Sequence, residues 1–438
     1  MMSRPGTERA VLAGLLALFI CRAVVAGAIV PPWQGPDEPT HFSLAYGLTM
    51  PTLAQQRVER GVLESMVRHG WWDLYEDPPP DPLPTSLTFL FGLGPGTLAQ
   101  PLYYGLGAAV LRLSGPPDLE TAYVHLRVLS VVLAIITLAV GWAGTRLLFG
   151  PEIAAGAAAI GALHPQFLLA AVSVNSDALL NVCGAFVWWQ AARVITGRQR
   201  AFSLALLLIG AAAALFTKRL GTVLVAVAAT VAAASLFTYR WRRLERRDLV
   251  MAGVLGGAGA AVLVGVTLVF GGEVDAWVRF VSNALTIRRP LETATIAEAF
   301  NFLRMTVDYS WLIAGWLRFE PPDAWIWMSR LLIIGGMAGA AVVLFESGAD
   351  RPRFVMAWFF VAAQVTAMLF AVFWTIPSAP QARYLFPVFA PITVLLYVGL
   401  KRSVPRTFHQ HWPVALVLVL AAMDVTGFTT VHIPTYIR

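Results

Sequence analysis

Apolar runs of about 20 residues recur along this chain from Val11 to Val431, and that is the length a helix needs to cross a hydrocarbon core about 30 Å thick. Lipid offers the backbone no hydrogen-bond partners, so a chain that crosses it in such runs must do so as packed helices. Composition agrees. Of 438 residues, 58% are hydrophobic and 13% charged, about half the charge of an average soluble protein.

Punctuation by Gly, Pro and charge divides the runs into about eleven spans, at 10–30, 123–147, 152–171, 178–195, 201–217, 220–238, 249–270, 325–345, 354–374, 384–400 and 412–431. The segment 98–113 reads as an amphipathic or re-entrant helix. Arg4 and Arg9 ahead of the first run suggest a signal peptide, but the run is long, Arg22 interrupts it, and no small-residue cleavage site precedes Pro31. An uncleaved first span is expected. The expected fold class is therefore an all-α polytopic membrane protein, a single transmembrane domain over 1–438 with no soluble C-terminal domain.

A formal net charge of +7 is not a nucleic-acid footprint here, because the basic residues cluster in short turns between apolar runs. Arg193, Arg198 and Arg200, then Arg240, Arg242, Arg243, Arg246 and Arg247, then Arg351 and Arg353, then Lys401, Arg402 and Arg406 all fall on one side of the count. The positive-inside rule makes that side, and the N-terminus, cytoplasmic. Two long segments, 31–122 and 271–324, then lie outside. Trp33, Trp71, Trp72, Trp277, Trp311, Trp316 and Trp325 suit helices lying in the interface, so both loops are expected to fold onto the membrane and cover an outer chamber. Cys21 and Cys183 sit in apolar segments without metal-ligand spacing and are expected to face lipid or core.

The densest chemical signal is Pro31-Pro32-Trp33-Gln34-Gly35-Pro36-Asp37-Glu38-Pro39-Thr40-His41, just where the chain leaves the bilayer. Asp37 or Glu38 could cap a helix starting near Pro39. Alternatively Asp37 is a general base for an acceptor hydroxyl. Adjacent residues point apart, so only one carboxylate should face an acceptor, and the sequence leaves open which. Asp37, Glu38 and His41 could also hold a divalent cation. Asn175-Ser176-Asp177, at the outer end of the third span, could cap the fourth span or support an acceptor. Lys218, Arg219, Arg383 and Tyr384 fall on the outer side against the positive-inside trend, which suits phosphate binding as well as snorkelling to head groups. Arg127 and Arg22 are further candidates, and an arginine within a span should be paired, with Asp37, Glu38 or Asp177 as the carboxylates at hand. In the second outer loop Arg279, Arg288, Arg289, Arg304, Glu298 and Asp308 stand among aromatics, as an acceptor cover or an interfacial shelf.

Gly35-Pro36-Asp37-Glu38-Pro39-Thr40-His41, Gln100-Pro101-Leu102-Tyr103-Tyr104, His164-Pro165-Gln166-Phe167 running on to Ser173-Val174-Asn175-Ser176-Asp177-Ala178-Leu179, and Ala382-Arg383-Tyr384-Leu385-Phe386-Pro387 occur in that order. In this they resemble a bacterial family of polytopic membrane proteins within the GT-C glycosyltransferase superfamily, over nearly the whole chain. The resemblance implies a GT-C-like fold and transfer of a sugar from a polyprenyl-phosphate-linked donor to an envelope glycan, lipid or protein acceptor outside the cytoplasm. It also implies a bacterial inner-membrane location. Asp37 would be the base and Arg383, Lys218 and Arg219 would stabilise the departing lipid phosphate, with inversion at the anomeric carbon. Two rival readings use the same residues without chemistry: a carrier or flippase for lipid-linked glycans, and a scaffold subunit of an envelope-polymer assembly. A carrier should place charges near the bilayer midplane, whereas this chain gathers them on one face.

Overall fold

The computed structural model describes residues 5–50, 55–87, 101–115, 118–198, 200–238, 295–314, 319–346, 348–374 and 381–437. Among these the chain is almost wholly helical, and the one β contact is an isolated bridge between Ala314 and Phe319. Among the described residues eight helices are long and apolar enough to cross a membrane, or nine if a bent pair is counted as one span. The expected span 249–270 lies outside the described residues, as do Trp277, Trp316, Arg279, Arg288 and Arg289.

The first span is α1, Pro5–Ile29. The outer segment that follows folds into α2 (Glu38–Gly47), α3 (Gln55–Arg68) and α4 (Pro101–Leu113). Helix α3 buries Val58, Val62, Leu63 and Met66. Their spacing places them on one helical face, which packs on Trp33 and Trp72 while the charged face stays outside. Next come α5 (Leu119–Phe149), α6 (Pro151–Leu163), α7 (Pro165–Ala171), α8 (Asp177–Ile195), α9 (Arg200–Thr217) and α10 (Thr222–Thr238). Asp118 caps α5 by accepting from the backbone N–H groups of Glu120 and Thr121 at 3.0 and 3.1 Å. After the second outer segment come α11 (Ile296–Asp308), α12 (Asp323–Glu346) and α13 (Arg351–Trp374). A 3-10 stretch, Ala382–Val388, then leads into α14 (Phe389–Arg402), and α15 (Trp412–Gly427) follows.

The span expected at 152–171 is broken. Helices α6 and α7 meet at 64°, because Pro165 can neither donate a backbone hydrogen bond nor let His164 stay helical. His164 is extended, and its Nδ1 accepts from the Phe167 backbone N–H at 3.2 Å to start α7 afresh. The tryptophans also depart from expectation. Trp33, Trp311 and Trp325 are buried within the protein rather than laid in the interface. Trp33 shows why: its indole N–H finds Ser65 Oγ at 3.0 Å, so its polar end needs no water. Cys21 faces outward from α1 and Cys183 is buried.

Ion pairs draw one set of helix ends together. Arg146 meets Glu8 at 2.5 Å, Lys401 meets Glu152, and Arg402 meets Glu346 at 2.9 Å, tying the end of α5 to the start of α1, and the end of α14 to the start of α6 and the end of α12. Within the bundle Arg22 of α1 forms a two-pronged pair with Asp424 of α15, and it also donates to the Ala162 carbonyl at the end of α6. This corrects the expectation that Arg22 would pair with Asp37, Glu38 or Asp177. A charge within the bilayer costs about 3 kcal/mol even on insertion scales, and Asp424, 402 residues away in sequence, supplies the counter-charge and ties α15 to α1.

Candidate active site

At the opposite end of the bundle the chain leaves α1 through a turn in which Trp33 and Asp37 both have left-handed backbones, at φ 70 and 62. For a residue with a side chain this is strained. The strain at Trp33 is held from three sides: its N–H donates to Tyr123 Oη at 3.2 Å, its indole to Ser65, and its carbonyl accepts from Trp71 Nε1 at 3.1 Å. Gly35 lies so close to Ser173 that a side-chain carbon there would come within 2.4 Å of Ser173 Cβ.

The two carboxylates that follow have separate fates. Asp37 occupies the residue before α2, yet its side chain caps nothing. Its Oδ2 instead accepts from Arg383 Nη2 at 2.6 Å, while Arg383 Nη1 donates to the Pro36 carbonyl at 3.2 Å. Glu38 is sealed. It accepts from Arg127 Nε at 3.1 Å and Nη2 at 3.2 Å, from the Val174 backbone N–H at 2.8 Å and from the Gly35 N–H at 3.1 Å. Arg127 also donates to the carbonyls of Val30 and Pro31 at 3.0 and 3.1 Å and stacks on Tyr123, 4.7 Å from the ring centre. Arg127 therefore braces the turn, and each of its three guanidinium nitrogens is hydrogen-bonded.

Asp177 opens α8 with its carboxylate buried. Lys218, between α9 and α10, donates to Oδ1 at 2.5 Å, and Arg383 Nε stands 3.6 Å from Oδ2. Neither Arg383 Nε nor Asp177 Oδ2 has a hydrogen-bond partner. Capping of α8 falls to Asn175, whose Oδ1 accepts from the Ala178 N–H at 3.1 Å. The ring of Tyr384 lies under both cations, 5.7 Å from Lys218 Nζ and 5.6 Å from the Arg383 guanidinium carbon. Arg219 begins the short 3-10 turn after Lys218. Asp37, Asp177, Lys218 and Arg383 thus form a quartet of zero net charge, drawn from four separate parts of the chain.

Helix α8 can approach the Ala382–Val388 stretch because of Gly184, where a side-chain carbon would stand 1.8 Å from the Pro387 carbonyl oxygen. That approach sets the position of Arg383. His41 lies behind Asp37, with its Nδ1 2.8 Å from Tyr104 Oη and its ring stacked on that tyrosine. Burial drops the His41 pKa to about 4, so the ring is neutral at pH 7. Burial pushes the Asp37 carboxyl up, but the Arg383 charge and hydrogen bond outweigh it and hold Asp37 below the ordinary aspartate value. Asp37 is ionised at neutral pH. Asp37, Glu38 and His41 turn to Arg383, Arg127 and Tyr104 respectively, and no group of three or more metal-ligating side chains converges among the described residues. The set does not fit the divalent cation that its spacing suggested.

A pocket of about 520 Å³, mouth included, opens beside Arg383. Gln34, Gln166, Gln381, Asn175 and Tyr436 contribute polar lining. The glutamines were not singled out from sequence, although each stands within or next to a motif that was: Gln34 before Gly35-Pro36-Asp37, Gln166 after His164-Pro165, and Gln381 before Ala382-Arg383. Position beside a charged motif was the available signal, and an uncharged amide does not advertise itself.

No protein-family model and no curated protein sequence matches the chain. Among solved structures, ArnT from Cupriavidus metallidurans in the apo state superposes with a TM-score of 0.50 at 16% identity, covering 97% of this chain and 74% of that one. An oligosaccharyltransferase from Archaeoglobus fulgidus in the apo form superposes at 0.47 and 13% identity, over 100% of this chain and 56% of that one. The oligosaccharyltransferase AglB of the same archaeon, in complex with an inhibitory peptide and a dolichol-phosphate, gives 0.46 at 13% identity, with 96% and 56% covered. At this identity the likeness is one of fold alone: the chain shares the helical membrane fold of ArnT.

Proposed function

We propose that this protein is a membrane glycosyltransferase that moves a sugar from a polyprenyl-phosphate-linked donor to a hydroxyl of an envelope glycan, lipid or protein acceptor. The observation that carries the reading is the placing of Arg383, which bonds a part-exposed carboxylate, Asp37, at 2.6 Å while its Nε and the facing Asp177 oxygen go unsatisfied. A cation so held has donors ready for an anionic ligand, and Lys218 supplies a second charge beside it.

Asp37 takes the proton of the acceptor hydroxyl as the acceptor oxygen forms its bond to the anomeric carbon. The bond from that carbon to the phosphate oxygen breaks, its electron pair leaves on the phosphate, and Arg383 and Lys218 stabilise the growing negative charge. Attack opposite the leaving group inverts the anomeric centre. Glu38 and Arg127 hold the turn that presents Asp37, and Asp177 fixes Lys218.

The site lies at the bundle end away from Arg146, Lys401 and Arg402, which supports a non-cytoplasmic active site in a bacterial inner membrane with a cytoplasmic N-terminus. The test is sugar transfer by the purified chain in nanodiscs, from a panel of polyprenyl-phosphate hexoses and pentoses. Transfer by the wild type that disappears in Asp37→Asn, with unchanged melting, supports the reading. Full retention of transfer in that variant would remove Asp37 as the base, and no transfer by the wild type from any donor would favour a carrier or scaffold.

A further inference from the structure

We infer that α11 is a membrane-seated helix: an apolar stripe along it docks into the lipid leaflet at the site end of the bundle, while its neighbouring face holds the stretch that carries Arg383. The inference stands on the membrane fold and does not depend on the transferase reading.

Helix α11 has three faces. Ala299, Phe302 and Thr306 are buried, and Phe302 meets Met368 of α13 with Tyr384 and Leu385 packed against the pair. Ile296, Phe300, Leu303 and Val307 follow at the spacing i, i+4, i+7 and i+11, which makes a second apolar stripe beside the first. Its first half is open: Ile296 is 86% and Phe300 70% exposed. Glu298, Asn301 and Arg304 form the third face and are exposed as well. A helix with one side on protein, one apolar side open and one side polar is built to lie in the interface plane, lipid on one side of it and water on the other.

Depth identifies the occupant as lipid. Asp308, in the last turn of α11, accepts from Arg330 Nε at 2.6 Å and Nη2 at 2.9 Å. Arg330 stands about two turns into α12, roughly 10 Å below its start at 1.5 Å per residue. Met368, beneath Phe302, likewise lies about two turns before the end of α13. Helix α11 therefore sits beside these spans, level with their outermost turns, rather than above them. The open stripe also borders a surface that faces lipid: Trp327, Leu331 and Ile334 of α12 are exposed at the spacing i, i+4 and i+7. The Arg330 guanidinium lies over Trp327, 4.8 Å from the ring centre, and tryptophan beside arginine suits the head-group level. One helix, about 10 Å across, then stands between the leaflet and Tyr384, whose ring underlies Lys218 and Arg383.

The experiment places a fluorophore on single added cysteines of the full chain in nanodiscs, in a Cys21→Ala background where the remaining Cys183 is buried. Phe300→Cys samples the stripe, Asn301→Cys the polar face and Ile334→Cys a deeper turn of α12. The quenchers are lipids carrying a nitroxide near the head group or at the acyl end, and aqueous iodide. The shallow nitroxide should quench the label at Phe300→Cys about threefold or more above Asn301→Cys, and iodide should rank the two in the opposite order. The acyl-end nitroxide should favour Ile334→Cys. Adding Ile296→Glu to Phe300→Cys should lower the shallow quenching by about half or more with melting unchanged, because a carboxylate resists hydrocarbon. Iodide quenching at Phe300→Cys as strong as at Asn301→Cys would put the stripe in water, as a cover over an aqueous cleft, and overturn the inference. Protection of Phe300→Cys from both lipid and iodide would give the stripe to another segment or to a second copy of the chain, and overturn it equally. None of these outcomes bears on the transferase reading, which the Asp37→Asn assay tests by itself.

Discussion

Asp37 and Glu38 are neighbours in sequence and each holds an arginine, but the two pairs are built for different work. The Glu38 side chain is wholly buried, and two guanidinium donors and two backbone N–H groups occupy its oxygens. The Asp37 side chain keeps 31% of its surface exposed and has one charged partner, Arg383, whose own Nε is left unsatisfied. A carboxylate with every lone pair committed is part of the scaffold. A carboxylate with surface to spare, paired to a cation that a phosphate can compete for, can change partners during a reaction.

The comparison breaks most sharply on substitution. Asp37→Asn removes the base, and loss of a general base costs about 10²- to 10⁴-fold in rate, so transfer should fall by that amount while thermal unfolding in detergent is unchanged. Glu38→Ala should act in the opposite sense. It strands the buried Arg127 charge, at a cost of about 3–5 kcal/mol, so low yield and a lower melting temperature are expected ahead of any kinetic effect. If Glu38→Ala folded normally and lost only transfer, the division of labour between the two acids would be wrong.

A smaller effect should come from Gly184→Ala. The new methyl group would press on the Pro387 carbonyl, and overpacking of this kind costs about 1–3 kcal/mol. Because the displaced stretch carries Arg383, transfer at saturating acceptor should drop further than the melting temperature alone accounts for. An Ala substitution at Gly14, where nothing lies within 4 Å, is the matched control and should change neither.

The smallest effect is a pH shift. Asp37 acts as its anion, and the Arg383 charge holds its pKa below the ordinary value, so the acid limb of the rate profile should lie on the acid side of where a free aspartate titrates. In Arg383→Gln burial is no longer opposed by that charge, Asp37 titrates higher, and the residual activity should show its acid limb moved to higher pH. A limb that stays in place, measured from pH 3 to 8, would assign the titration to another group.

Much of this was legible beforehand, and the limits have physical causes. Span positions follow from apolar length alone, and the gathering of Asp37, Asp177, Lys218 and Arg383 follows from counting crossings, since each lies at the same end of its helix. Which carboxylate each arginine takes was not legible, although Glu38 stood among those expected for Arg127. Arg127 and Glu38 are 89 residues apart, Arg22 and Asp424 402 apart, and hydropathy carries no information about which helices touch. The identity of the exposed acid was likewise hidden, because it depends on a left-handed turn at Asp37 that sends adjacent side chains to different arginines. His164-Pro165 could have announced the broken span, since proline forbids the continuous helix that the apolar length of 152–171 suggests.

The central claim is that Arg383 exchanges Asp37 for the donor phosphate. Its most direct test is a structure of the protein in nanodiscs with a polyprenyl-phosphate donor analogue. The account predicts the phosphate within hydrogen-bond distance of Arg383 and Lys218, the Asp37 carboxylate released and facing the anomeric carbon, and Glu38 still locked to Arg127. A phosphate bound elsewhere, with the Arg383–Asp37 pair intact, would contradict it.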